Sequence, residues 1–212
     1  VIKWEMPEFI RRTYIETYRS CPHKFFLEVL QGHEAPPTCY TQIGIDLHEL
    51  FDKAVNDRSY KIEQMRYDME KYWNMYSDTL FDSEKQKDDM AQRIVDSIDG
   101  FYSILPNIPL PFVTEETIFY SVGEDIPEVR FTMDYISENE NGNLDIADWK
   151  TGGIMVGKKI SSDLQAPLYI YGVQKKYNRI VDSFTFYYVK DNKTRVFTRT
   201  SDDNYVCKVG KR

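Results

Sequence analysis

Asp148-Trp149-Lys150 sets a carboxylate and an ammonium two residues apart. On a strand, where side chains alternate between faces, that spacing puts both on one side. Hydrolysis of a phosphodiester asks for such a pair. A cation held by carboxylate neutralises charge developing on the phosphoryl oxygens, and a nearby donor orients water or offsets phosphate charge. Hard divalent cations such as Mg2+ or Mn2+ favour oxygen ligands, usually one or two carboxylates with water and substrate phosphate. Asp134 could supply the second carboxylate, provided that its strand lies beside that of Asp148. Taken alone, an Asp-x-Lys pair often arises by chance and more commonly describes a solvated strand pair, with Asp134 a surface residue near a turn.

The condition on Asp134 is geometric. Between the two aspartates lies Glu138-Asn139-Glu140-Asn141-Gly142-Asn143, whose Asn-Gly dipeptide signals a hairpin. A two-residue turn at Asn141-Gly142 would set Asp134 opposite Trp149 and point it away from Asp148. A connection of three or five residues, or one bulge, would set Asp134 opposite Asp148, so an odd-length loop or a bulge is predicted. Two carboxylates brought together also repel, so without a cation at least one should have a raised pKa.

The elements around these residues follow from apolar periodicity. A helix is predicted over roughly 8–19, a second from Pro22 to near Gly32, and a third over about 41–55 from Ile43, Leu47, Leu50, Phe51 and Ala54. Ile62, Met69, Trp73, Tyr76 and Leu80 mark a fourth, and Ile94, Val95, Ile98, Phe101, Tyr102 and Leu105 a fifth, stopped by Pro106, Pro109 and Pro111. Beyond Pro111 the period changes to two. Glu116 to Val122, the run through Val129, Phe131, Met133 and Tyr135, and Leu144 to Lys150 read as strands. A helix at about 163–178 follows, then strands near 182–190 and 193–200 joined at Asp191-Asn192.

With 212 residues, 42% of them hydrophobic, the chain has material for one good core and is short for two, so a single domain over 1–212 is expected. No run approaches the roughly 18 apolar residues of a membrane span. The opening segment is polar and aromatic rather than signal-like, so a cytoplasmic protein that does not engage membranes is expected. Cys21, Cys39 and Cys207 make an odd number without CxxC spacing, which argues against a disulfide framework or a self-contained zinc site and favours a reducing compartment. The net charge of -7 conceals an asymmetry: residues 1–149 carry 14 Lys+Arg against 29 Asp+Glu, a net -15, whereas 150–212 carry 13 against 5, a net +8. An acidic part suited to a cation beside a basic part suited to phosphates is compatible with a metal-dependent nuclease, and equally with solvated helix faces.

Several blocks occur together in a telling order. Asp145-Ile146-Ala147-Asp148-Trp149-Lys150-Thr151-Gly152, followed by Gln165-Ala166-Pro167-Leu168-Tyr169, resembles the active-site run and QxxxY motif of the RecB-like branch of the PD-(D/E)xK nucleases. Phe131-Thr132-Met133-Asp134-Tyr135-Ile136 resembles the strand bearing that family's first aspartate, with Met133 in place of its proline. Gly44-Ile45-Asp46-Leu47-His48-Glu49-Leu50 resembles its upstream helix with a metal-associated histidine, and Ser20-Cys21-Pro22-His23-Lys24-Phe25-Phe26 its CPxxF entry.

The resemblance implies an α/β fold in an α+β arrangement with a restriction-endonuclease-like core. A mainly helical part over 1–110 would precede a central mixed sheet flanked by helices over 111–200. It implies a Mg2+- or Mn2+-dependent deoxyribonuclease, an exonuclease as in most of the branch, acting on DNA ends in recombination, repair or processing, with recombination or helicase proteins as partners. The alternative is a catalytically inactive nucleic-acid-binding or partner subunit on the same fold.

Site roles follow from the same resemblance. His48, Asp134, Asp148 and the Trp149 backbone carbonyl would hold metal, and Asp134, Asp148, Lys150, Gln165 and Tyr169 would form the catalytic set. Gly44, one turn before His48, would leave room for metal or substrate; read alone, His48 is a histidine at a helix surface or core edge. Gln165 and Tyr169 share a helical face and could contact Lys150, a water or a phosphate; read alone they are a packing face. Glu116 is a further candidate for the site. Lys158, Lys159, Lys175, Lys176 and Arg179 are candidate phosphate contacts. Relatives in this branch that hold a 4Fe-4S cluster use four cysteines, one early and three late; with three in all, no iron-sulfur cluster is expected here.

Overall fold

A computed structural model of the chain describes residues 6–33, 35–154, 163–202 and 204–211. The first half is helical: α1 (Arg12–Ser20), the short α2 (Pro22–Phe25) continuing as a π-helical turn over Phe26–Leu30, α3 (Cys39–Asn56), α4 (Ile62–Met75) and α5 (Glu84–Ile104). Local chemistry sets several of the starts. Pro22 occupies the first turn of α2 while the Cys21 sulfur accepts from the Lys24 N–H, and Thr38 and Ser83 hydroxyls cap α3 and α5. Gly32, at φ +70°, ends the early helical run in a conformation that costs glycine little. The fourth helix stops at Met75, short of the expected Leu80. Tyr76 turns extended, and Ser77 caps a separate 3-10 turn over Asp78–Leu80.

The second half supplies six of the seven strands of a mixed sheet found among the described residues, β2 (Val113–Tyr120), β3 (Glu128–Glu138), β4 (Leu144–Lys150), β5 (Val181–Tyr188), β6 (Lys193–Arg199) and β7 (Tyr205–Lys211), with α6 (Gln165–Tyr177) between β4 and β5, and β1 (Phe9–Ile10) joins from the N-terminal segment. β4 and β5 are parallel and joined through α6, whereas β5, β6 and β7 form an antiparallel meander. β1 and β7 were not anticipated: two residues leave no periodicity to read, and β7 lies past the last strand expected.

The sheet separates two apolar cores. On one face, Ile43, Leu47, Leu50 and Phe51 of α3 meet Met65 and Met69 of α4, Phe101 of α5, and Ala147 and Trp149 of β4. Phe51 stacks on Phe101 at 4.1 Å between ring centroids. On the other face, Ala166, Tyr169, Ile170 and Val173 of α6 cover Ile118, Phe131, Met133, Leu144, Ile146, Phe184 and Phe186. Alternation along β4 therefore buries Trp149 among the first-half helices and turns Asp148 and Lys150 toward α6.

Two irregularities shape the centre of this sheet. The β3–β4 connection has five residues, 139–143, and pairs Tyr135 with Ala147, the register that points Asp134 toward Asp148. The Asn139 side-chain oxygen accepts from the Asn141 and Asn143 N–H groups, and Gly142 sits at φ +76°, so the loop closes on its own polar groups. In the β2–β3 ladder the pairs Thr114–Tyr135 and Glu116–Met133 flank one skipped position on each strand, Glu115 and Asp134. Glu115 has φ +47°, and strand alternation reverses across this point, with Met133 and Ile136 in one core and Tyr135 in the other. Such an irregularity re-aims side chains without shifting the rest of the ladder.

Candidate active site

The strand pattern leaves an opening. Val129 pairs with both Tyr120 of β2 and Ile10 of β1, and Tyr135 with both Thr114 of β2 and Ala147 of β4. β1 and β4 therefore occupy the same edge of β3, one at each end, and the stretch over 130–134 faces neither. Past Ala147, β4 leaves β3 and continues beside β5, pairing Asp148, Trp149 and Lys150 with Phe186, Tyr187 and Tyr188. Asp134 sits at this fork, where its Oδ2 accepts the Trp149 N–H at 2.7 Å, replacing the ladder bond lost by the parting strands.

Two further elements converge on Asp134. His48 of α3 brings Nδ1 to 3.3 Å from its Oδ2, and Glu115 of β2 reaches the same space. One ligand atom from each of His48, Glu115 and Asp134 lies within 4.8 Å of the others. On the α6 side, the Asp148 Oδ2 is 2.6 Å from Lys150 Nζ, and Lys150 Nζ donates to Gln165 Oε1 at 3.0 Å. Gln165 Nε2 donates in turn to Asp148 Oδ1, closing a ring of three side chains. Asp163 Oδ1 accepts the Gln165 N–H at 2.9 Å, and its other oxygen meets the buried Arg195 guanidinium at 3.3 Å, which fixes the start of α6.

The electrostatics follow from crowding. Burial pushes Asp148 up to about 6 and nearby Asp134 adds to this, while Lys150 and His48 oppose it. Burial would also raise Asp134, but the His48 and Lys150 charges and the Trp149 N–H hold it below the ordinary carboxylate range. Burial and Asp134 push Glu115 up to about 7. For His48, burial works against the charged ring, yet the ion pair and hydrogen bond with Asp134 outweigh it and lift the imidazole to about 9. The expected raised carboxylate is thus Asp148, and Glu115 joins it.

These residues fit a hard divalent cation. His48, Glu115 and Asp134 bring two carboxylates and one imidazole together, while Asp148 lies outside that convergent group and is held beside it by Lys150 and Gln165. The buried Asp148 Oδ2 meets Lys150 Nζ at 2.6 Å and has no other hydrogen-bond partner among the described residues. Carboxylates whose ionised forms are disfavoured by burial and by a neighbouring carboxylate, as at Asp148 and Glu115, are relieved by a positive ion.

The remaining sequence-derived residues lie as follows. Tyr169 stacks on Phe131 at 4.1 Å, and burial raises its phenol well above the usual range, with Asp148 adding and Arg12 opposing. Gly44 faces Thr151, the residue after Lys150. Glu116 does not join the site: strand parity turns it to the α6 side, where it ion-pairs with Lys176. Its neighbour Glu115 does, and only the left-handed backbone at that position reveals this, which no periodicity rule reads. Arg179 hydrogen-bonds the Gly142 carbonyl and pairs with Glu138 at 3.0 Å, and Lys175 is exposed over the Tyr171 ring. Lys158 and Lys159 lie outside the described residues.

A family model for the PD-(D/E)XK nuclease superfamily matches residues 13–206. No curated protein matches the chain.

Proposed function

The chain belongs to the PD-(D/E)XK nuclease superfamily, and from that premise we propose that it is a Mg2+- or Mn2+-dependent deoxyribonuclease of the RecB-like branch, degrading DNA from its ends. The observation that carries this reading is the convergence of His48, Glu115 and Asp134 at the β3–β4 fork, beside the Asp148, Lys150 and Gln165 ring. His48, Asp134, Asp148 and the Trp149 carbonyl, joined by Glu115, would hold the cation. A bound divalent ion would supply charge neutralisation at the phosphoryl oxygens and a more acidic water.

Hydrolysis adds water across a phosphorus–oxygen ester bond: the attacking water loses a proton, the ester bond breaks, and the departing oxygen gains a proton. Lys150 is the ammonium of this site, held by Asp148 and Gln165 at a position from which it orients the attacking water and offsets charge on the phosphate. Gln165 fixes the direction of both partners. Tyr169, one turn further along α6, lies on the same helical face as Gln165 and stacks on Phe131. Exposed Lys175, with Lys158 and Lys159, supplies phosphate contacts along the DNA. Lys176 and Arg179 would have to leave Glu116 and the Gly142 carbonyl to take part.

We further assign the protein to DNA recombination, repair or processing, alongside recombination or helicase proteins in a reducing cytoplasm. No described helix is long and apolar enough to cross a membrane. The test is degradation of linear single- and double-stranded DNA against a closed circle, with Mg2+, with Mn2+ and with chelator. The expected result is loss of the linear forms in the presence of metal while the circle survives. Cutting of the circle would replace end-directed action with internal cleavage. Binding of DNA with no cleavage under any metal would favour the non-catalytic subunit.

A further inference from the structure

The unpaired edge of β3 has two ends. Asp134 and the metal-suited cluster occupy one. At the other, beside β1, a cavity of about 350 Å3 is lined by Arg11, Arg12 and Arg130, with Thr13, Thr132 and Tyr169 completing its wall. Three guanidinium groups on one small cavity are out of character for a segment whose net charge over 1–149 is -15.

The arginines are held rather than neutralised. Arg11 and Arg130 flank the Phe9 ring, their guanidinium carbons 5.4 and 4.7 Å from its centroid. Among the described residues neither has a carboxylate within ion-pair distance. Arg12 pairs with Glu16 through Nη1 at 2.8 Å, but its buried Nε has no hydrogen-bond partner among the described residues. Stacking on an aromatic ring fixes a guanidinium while leaving its N–H groups free to donate, the arrangement in which arginine recognises phosphate. The same cavity opens at the N-terminal end of the nine-residue α1, whose first residue is Arg12 and whose cap position makes no side-chain hydrogen bond.

We propose that this cavity binds the terminal phosphate of the nucleic-acid strand being cut, an inference that rests on the nuclease reading of the neighbouring site. Two features favour a chain end over an internal phosphate. A terminal phosphomonoester carries about 1.5 to 2 negative charges at neutral pH, whereas an internal diester carries one, and the cavity offers more than one uncompensated positive charge. The open edge also stops here, because β1 resumes pairing at Val129. A strand lying along the edge from Asp134 therefore meets β1 rather than open solvent. Thr132 and Asp134 are two strand residues apart, about 7 Å, so the bound end lies within a nucleotide or two of the reacting phosphate.

The experiment measures binding without catalysis. Labelled single-stranded oligonucleotides ending in a 5′-phosphate, a 3′-phosphate or hydroxyls alone are titrated by fluorescence anisotropy in chelator at fixed ionic strength. The wild-type chain is expected to bind one phosphorylated end about tenfold more tightly than the hydroxyl-ended strand, the size of one good charge-assisted contact set. Arg11→Gln/Arg130→Gln is expected to bring that preference to within about twofold while leaving affinity for the hydroxyl-ended strand nearly unchanged. Exposed Arg11→Gln alone should show part of the loss, so the test survives if the double variant unfolds. Equal wild-type affinity for all ends, a preference that persists in the variants, or an equal weakening of every oligonucleotide would each overturn the proposal. Metal-dependent cleavage, assayed separately, distinguishes the two claims: end preference without any cleavage removes the nuclease reading, and cleavage without end preference removes the pocket.

Discussion

At the scale of single residues, Glu115 and Glu116 show how adjacent carboxylates acquire different work. Glu116 is in regular strand and pairs with Lys176 across a half-exposed surface. Glu115 sits at φ +47°, with its carboxylate among His48 and Asp134. Glu115→Gln is expected to weaken Mn2+ binding by about tenfold or more in calorimetric titration, while Glu116→Gln should leave it unchanged and alter stability by no more than about 1 kcal/mol. The pH dependence has a definite sign. His48, raised from 6.5 to about 9, contributes stability that is fully present below 6.5 and lost as pH rises through about 9. Asp148 and Glu115, raised from 3.8 to about 6 and from 4.5 to about 7, act in the same direction, their ionised forms being disfavoured once folded. Asp134 opposes them, its stabilisation being lost as pH falls. A cation competes with the bound protons, so the Mn2+-induced rise in melting temperature should be larger near pH 8.5 than near pH 6. A shift independent of pH would mean that the ion binds elsewhere. Asp148 and Lys150 were legible from strand alternation and Asp134 from the count of residues in the hairpin, whereas Gln165 was reached only through its resemblance to the family's QxxxY motif. Glu115 was not legible, because a positive φ at a glutamate leaves no mark in the sequence.

At the scale of elements, the site depends on a register and on a close approach. The odd-length hairpin was readable by counting residues, and 139–143 bears it out; the fork beyond Ala147 was not, since nothing in Asp148-Trp149-Lys150 says which neighbour it keeps. The two cores on opposite faces follow from period-two alternation in β4, whereas β1 and β7 fell below what periodicity resolves. Helix α5 reaches the sheet at Gly100, where an added Cβ would overlap the Val189 carbonyl in the turn after β5. The atoms met there are all backbone, so none can rotate away. Gly100→Ala is expected to destabilise the fold by about 1–3 kcal/mol or more in urea unfolding, and to spare metal affinity in the fraction that remains folded. An unchanged midpoint would show that α5 and this turn do not meet closely in solution.

At the scale of the whole molecule, charge is divided along the chain, net -15 over residues 1–149 and net +8 over 150–212. The acidic first 149 residues contribute His48, Glu115, Asp134 and Asp148, and the basic remainder contributes Lys150 and the exposed lysine of α6. Binding of DNA should therefore weaken steeply with salt, by a slope set by the phosphates contacted, and wild-type chain saturated with Mn2+ at 100 times its dissociation constant should gain about 2.7 kcal/mol of stability. The central claim is that Asp134, Asp148 and their neighbours would hold one divalent cation beside Lys150, and that phosphodiester cleavage depends on this site. It is tested most directly by the initial rate of cleavage of end-labelled linear DNA at saturating Mn2+, compared among the wild-type chain, Asp148→Ala and Lys150→Ala, each verified as folded. The expected result is a loss of about 100-fold or more in both variants, a barrier increase of about 2.7 kcal/mol. Rates within a few-fold of the wild type in both would contradict it.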